Sequence, residues 1–212
     1  MLREIDLPDI NGEAYPEISF MPTVCYGNFH NAEGITVYYV IQVAPGKEEE
    51  TERYIEERVS QEWYSSCFHP VRQVRKKFHG VWRDRHEKLL PGYVFIDSEK
   101  AKELYLDLKR IPMMTKLLGW ERGFITALSE QEADWLEKIV SAGKEGKITG
   151  EVGLSRIEMG ENDEVRILSG PLKNMEGMIK KINLHKRIAE IEVEFMGRKT
   201  VIHLGVEMVE KK

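Results

Sequence analysis

Cysteine is scarce in this chain: Cys25 and Cys67 are the only two in 212 residues. That number and spacing exclude a disulfide framework and a cysteine-rich zinc site, leaving two buried or idle thiols. The six histidines are scattered rather than clustered, so no metal centre is expected. No apolar run approaches the ~18 residues that a membrane helix needs, and no membrane contact is expected. The N-terminus lacks the basic-then-apolar pattern of a secretory leader, which predicts a cytoplasmic protein. Phosphate-loop signatures are missing too, both Gly-x-x-x-x-Gly-Lys and Gly-x-Gly-x-x-Gly. His86-Glu87-Lys88-Leu89-Leu90 opens like a zincin helix but has no second histidine. The paired carboxylates between 48 and 57 read as the solvated face of a helix. Nothing in view supports enzyme chemistry or a cofactor.

What is present is charge, unevenly placed. Hydrophobic residues make up 42% and charged residues 32% of the chain, ordinary for a globular protein. The net charge of −5 argues at first sight against a nucleic-acid partner. By segment it divides into −5 for residues 1–36, −1 for 37–141, −1 for 142–161 and +2 for 162–212. The acidic excess therefore sits mainly in the N-terminal segment. A local basic face matters more for phosphate contact than the whole-chain sum.

Residues 1–36 hold Pro8, Pro16 and Pro22 and no sustained period, and read as a poorly ordered acidic extension. Val37–Val43 is β-branched and aromatic, a buried strand ended by Pro45-Gly46. Tyr54, Ile55, Val59 and Trp63 recur at helical spacing across 47–63. Residues 66–78 and 81–88 read as extended segments around a turn at Gly80, and Leu89–Ile96 as a turn into a strand. Ser98 is placed to cap a helix running to Ile111, before Pro112. A short strand is expected at Thr115–Trp120. Ser129-Glu130-Gln131-Glu132 has the form of a capping box.

Gly143, Gly146, Gly150 and Gly153 mark residues 142–156 as a linker. Short strands then follow at Val165–Leu168, Gly177–Ile182, Ile188–Phe195 and Thr200–Leu204. Ala189, Ile191, Val193 and Phe195 alternate with Glu190, Glu192 and Glu194, a period of two. Met196-Gly197 fits a tight hairpin turn. This many short strands in so short a stretch predict a small barrel.

Leu89-Leu90-Pro91-Gly92-Tyr93-Val94-Phe95 resembles the apolar-apolar-Pro-Gly-Tyr-Val motif of the NusG family of transcription elongation factors. Tyr38-Tyr39-Val40-Ile41-Gln42 looks like that family's opening strand. Asp163–Leu172, running on to Glu176-Gly177, resembles a KOW motif. Phe195-Met196-Gly197-Arg198 is similar to the family's second hairpin. Gly177–Ile182 with Lys186-Arg187 and Leu204–Glu207 is similar to LoaP-type antiterminators, specialised paralogues that act on selected operons through an RNA hairpin.

The resemblance, which covers residues 37–212, and the composition together imply an α+β chain in four parts. These are the extension 1–36, an NGN-type α/β sandwich at 37–141, the flexible linker 142–156, and a small all-β KOW barrel of SH3-like type at 157–212. The sandwich is expected to be an antiparallel sheet with flanking helices. It is also expected to bind the RNA polymerase clamp through Tyr38, Tyr39, Leu89, Leu90, Pro91, Gly92, Tyr93 and Phe95. Alternate residues of those strands must at the same time be core.

Arg72, Arg75, Lys76, Lys77, Arg83 and Arg85 interleave with Phe78, His79 and Trp82. Basic with aromatic is a nucleic-acid signature, and the resemblance places it near upstream DNA. A solvated hairpin tip with Trp82 packed beneath it is the plainer reading. In the KOW part, Lys173, Asn174, Lys180, Lys181, His185, Lys186, Arg187, Arg198 and Lys199 are the candidates for gripping a nascent RNA hairpin by shape. The three alternating glutamates are then expected to face away from them. Ordinary surface lysines are the competing reading. So are a general elongation factor whose barrel binds ribosomal or termination proteins, and a ribosome-associated RNA-binding protein. A monomer is expected.

Overall fold

The computed structural model describes residues 37–111, 125–140, 148–160, 164–173 and 175–209. The acidic extension, the strand expected at Thr115–Trp120, residues 141–147 and Asn174 lie outside the described residues. Along the chain the strands are β1 (Tyr38–Gln42), β2 (Ser66–Phe68), β3 (Val71–Phe78), β4 (Val81–Lys88), β5 (Tyr93–Asp97), β6 (Ile125–Ala127), β7 (Glu151–Val152), β8 (Ser155–Met159), β9 (Val165–Ser169), β10 (Ile179–Asn183), β11 (Ile188–Phe195) and β12 (Arg198–Met208). The described helices are α1 (Glu48–Arg58), α2 (Ala101–Lys109) and α3 (Glu130–Ile139).

The N-terminal sheet is antiparallel in the order β2–β5–β1–β6. Its strands alternate cleanly between two apolar faces. Ile41, Val94 and Ile96 meet Ile55 of α1 and Leu104 and Leu108 of α2. Tyr38, Val40 and Phe95 meet Trp135, Leu136 and Ile139 of α3. The capping box forms as expected: Ser129 N donates to Glu132 Oε2 at 2.9 Å, and Glu132 N to Ser129 Oγ at 3.3 Å. Two helices are shorter than the sequence suggests. Ser98 does not cap α2, whose N-cap position is Lys100; its hydroxyl donates to the Trp63 carbonyl and accepts from Lys100 N at 3.0 Å. α1 stops at Arg58, and Trp63 instead donates its indole N–H to Asp107 at 2.9 Å.

β3 and β4 form a long antiparallel ribbon, with β7 joined in parallel to the base of β3. The C-terminal strands make a barrel-like sheet in the order β10–β11–β12–β8–β9. Met196 (φ 53°) and Gly197 (φ 68°) turn β11 into β12. Two consecutive positive φ values match the twist of the paired strands. The expected linker narrows accordingly: from Glu151 onward its residues enter β7 and β8, and Val152 is 1% exposed.

The sheet and the barrel share one apolar core. Phe195, Val193, Ile191 and Leu204 of the barrel belong to the same cluster as Tyr38, Phe95 and Trp135 of the sandwich. Along a second seam β12 crosses β3. A side chain at Gly205 would place its Cβ 2.2 Å from the Gln73 carbonyl oxygen, so only glycine allows this approach.

The Pro91-Gly92 turn is fixed by a buried carboxylate. Glu48, at the start of α1 and 0% exposed, accepts from Gly92 N at 2.6 Å, Gly46 N at 2.8 Å and Lys88 Nζ at 2.6 Å. Burial alone would raise its pKa, but the hydrogen bonds from Lys88 and Gly92 outweigh it and hold the carboxyl at about 2 against an ordinary 4.5. The folded value lies below the unfolded one, so this stabilisation is present above pH 4.5 and is lost as pH falls toward 2. Glu48→Ala leaves Lys88 without its buried partner and should cost about 3 kcal/mol at neutral pH. Denaturant melts at pH 7 and at pH 3 check this: the deficit should be smaller at the lower pH.

Candidate nucleic-acid interface

The eight residues expected to contact polymerase divide by strand geometry. Tyr38, Leu89, Leu90 and Phe95 are buried, and so is Gly92, whose φ of 88° makes the turn. Pro91 is exposed, and Tyr39 and Tyr93 are half-buried. Phe195 of the barrel covers this face. Its ring lies edge-on to Tyr93 at 5.0 Å, tilted against Phe95 at 5.9 Å and edge-on to Trp135 at 6.3 Å. Trp135 Nε1 also donates to the Glu194 carbonyl at 2.8 Å, and Gly197 N to Glu132 Oε1 at 3.3 Å.

The β3–β4 ribbon carries less free charge than the sequence count implied. Arg72 binds Glu87, Arg75 binds both Asp84 and Glu207, and Lys76 binds Glu87. Arg72 Nη1 further donates to the His203 carbonyl at 2.6 Å, so Arg72 and Arg75 fasten the ribbon to β12. Hydrogen bonds from Lys76, opposed by burial and assisted by Arg72, lower the Glu87 pKa. Among the described residues Lys77, Arg83 and Arg85 form no ion pair with an acid. Phe78 (55% exposed) and Val81 (59%) leave the tip apolar, with the Arg83 guanidinium over the Phe78 ring, 5.7 Å from its centroid. Trp82 is not simply buried under the tip: Arg187 of the barrel lies over its ring, 4.1 Å from the centroid.

In the barrel the glutamates do not all face away from the lysines. Glu192 bridges Lys180 at 3.2 Å and Lys199 at 3.3 Å, and those contacts lower its pKa. These two lysines are therefore partly neutralised. Lys173, Lys181, His185, Lys186 and Arg198 are exposed and, among the described residues, have no acidic partner. A pocket between α1 and β2 is lined by Glu49, Glu52 and Glu56, the wrong sign for phosphate. No group of three His, Cys, Asp or Glu among the described residues is arranged to hold a metal.

Residues 36–137 match the family model described as transcription termination factor NusG, and residues 161–194 match the KOW motif. The chain belongs to the NusG family. It is 26% identical to the transcription termination/antitermination protein NusG of Neisseria meningitidis, over 82% of this chain and 97% of the relative. The NusG protein of Pseudomonas aeruginosa is also 26% identical, with the same coverages. Among solved structures, one titled for domain interaction in Thermotoga maritima NusG overlaps 81% of this chain and 94% of that one. It does so at a TM-score of 0.45 and 18% identity. This NusG-family chain is a transcription termination/antitermination factor and not an enzyme.

Sequence reading of this NusG-family chain missed Phe195 and Gly205 as contacts between its parts. Phe195 was legible as an inward residue of β11, but no pattern says which core it enters. It also missed Asp97, paired with Tyr38 across β1 and β5. Burial first, then the charges of Glu99 and Glu137, raise the Asp97 carboxyl from 3.8 to about 6. A carboxylate raised on folding costs stability as pH climbs through 3.8 to about 6. Asp97→Asn should therefore stabilise the protein by about 2 kcal/mol at pH 7.5 and leave it unchanged near pH 3.5. Thermal melts at the two pH values read the difference.

Proposed function

We propose that this NusG-family protein binds RNA polymerase through its N-terminal NGN sheet and a structured nascent RNA through its KOW barrel, acting as a recruited antiterminator of LoaP type. The observation that carries the RNA part is a set of basic side chains at and beside the β10–β11 turn that have no acidic partner among the described residues: Lys181, Lys186 and Arg187, with His185 in the same turn, while Arg198 stands at the other end of β11. Grouped near that turn, they suit phosphate and 2′-hydroxyl contact by shape. Lys180 and Lys199 contribute less, since Glu192 holds both. Charge reversal at Lys181, Lys186 and Arg187 together should abolish binding to an RNA stem-loop in a gel-shift titration at several salt concentrations, with the far-UV spectrum unchanged. Unaltered affinity would remove the RNA assignment.

The polymerase part is supported by family membership and by the apolar sheet face that carries Tyr93 and Phe95. Phe195 occupies that face, so a polymerase contact there has to displace the barrel. Phe195→Ala should raise affinity for purified RNA polymerase severalfold in a pull-down or interferometry assay. An unchanged or lower affinity would move the contact to another surface, such as the exposed turn at Pro91. A general factor whose barrel binds ribosomal or termination proteins is the second reading, favoured by the two NusG relatives, which are named for termination and antitermination alike. Capture of a purified termination or ribosomal protein without RNA would favour it.

A further inference from the structure

The geometry points to a single RNA-binding surface that straddles the two domains, with the Trp82–Arg187 contact at its centre. This extends the RNA reading above and depends on it. Lys77 and Trp82 are cross-strand partners, so their side chains share one face of the β3–β4 ribbon. Arg187 reaches that face from the barrel and lies 4.1 Å from the Trp82 ring centroid. Stacking uses the flat face of a guanidinium and leaves its N–H edges free to form a forked contact with phosphate. Among the described residues the Arg187 side chain makes no ion pair with an acid.

The turn that carries Arg187 is held for this purpose. Arg187 takes φ 55°, a conformation uncommon for a residue with a side chain. Asn183 Oδ1 accepts from Lys186 N at 2.9 Å, and Val206 N donates to the Arg187 carbonyl at 3.0 Å. His185 and Lys186 stand exposed in the same turn. Lys77, Lys186 and Arg187 therefore present positive charge from two domains around one indole.

Both acids of the ribbon are paired, and so is Glu207 of β12. Arg75 holds Asp84 and Glu207, while Arg72 and Lys76 hold Glu87. Of these pairs Arg75–Glu207 joins the ribbon to the barrel, as does the Arg72 hydrogen bond to the His203 carbonyl, so the charges spent there build the frame. A polyanion with regular phosphate spacing is the occupant that such a surface fits. A folded RNA stem, read by shape and backbone, is the form to which this chain commits it.

The test uses the full chain and a stem-loop RNA with a stem of ~16 base pairs, followed by fluorescence anisotropy across a salt series. The variants are Lys77→Ala and Trp82→Ala on the ribbon, Lys186→Ala on the barrel, Gly205→Val at the seam, and Lys138→Ala on α3 as a control. Lys77→Ala and Lys186→Ala should each weaken binding and lower the salt slope by about 1. Trp82→Ala and Gly205→Val should each weaken binding roughly tenfold, a loss that misplaced charges explain because neither variant removes one. Lys138→Ala should bind as the parent does. Should Gly205→Val fail to fold, Trp82→Ala carries the same test.

Parental affinity in Lys77→Ala and Trp82→Ala, with a loss in Lys186→Ala, would confine the RNA to the barrel and overturn the shared surface. Parental affinity in all three would remove the RNA reading itself. Equal affinity for a DNA hairpin of the same sequence would overturn the commitment to RNA.

Discussion

The seating of Phe195 on the N-terminal sheet is the constraint from which the arrangement of the molecule follows. An aromatic ring at the end of β11 has two ways to leave water. It can fold back into its own small barrel, or it can enter a neighbouring core. Here it enters the neighbour, among Tyr93, Phe95 and Trp135. Burying a phenyl ring is worth about 2–3 kcal/mol, too little alone to hold two domains together. The seam at Gly205, the Arg72 and Arg75 contacts to β12 and the Trp82–Arg187 stack supply the rest of the contact surface. Each of these depends on register. With Phe195 seated, β12 lies where His203 and Glu207 meet the two arginines. Displaced, those charges would face water, where exposed pairs contribute little.

Local pattern made most of the elements legible. β1, β5 and β11 announced themselves through β-branched, aromatic and alternating residues, and α3 through its capping box. These signals lie in adjacent residues, where propensity and period operate. β7 and β8 were hidden because a two-residue strand and a strand among glycines have no period to detect. What they pair with, β3 and β12, lies far along the chain. The candidate site was legible as residue types but not as a site. The lysines and arginines of 72–88 and 173–199 were visible. Which of them are spent on acids could not be seen, because Glu192, Glu207 and Glu87 find their partners only through strand register. Arg187 and Trp82 are more than a hundred positions apart, and only docking brings them together.

Docking also sets the sign of any coupling between the two proposed partners. A ligand that binds one arrangement better than another shifts the population toward it by its difference in affinity, and no more. An RNA held across the ribbon and the barrel stabilises the docked form. A polymerase surface that meets Tyr93 and Phe95 requires Phe195 to withdraw, and so stabilises the undocked form. At that face the two ligands oppose each other, and linkage makes the opposition reciprocal. RNA would then be captured by the closed protein and loosened as polymerase engages, a handover rather than a bridge. A bridge instead requires polymerase to use a surface that the barrel leaves open, such as the exposed edge at Pro91. The strength of barrel docking therefore decides which of these two modes the same pair of contacts can produce.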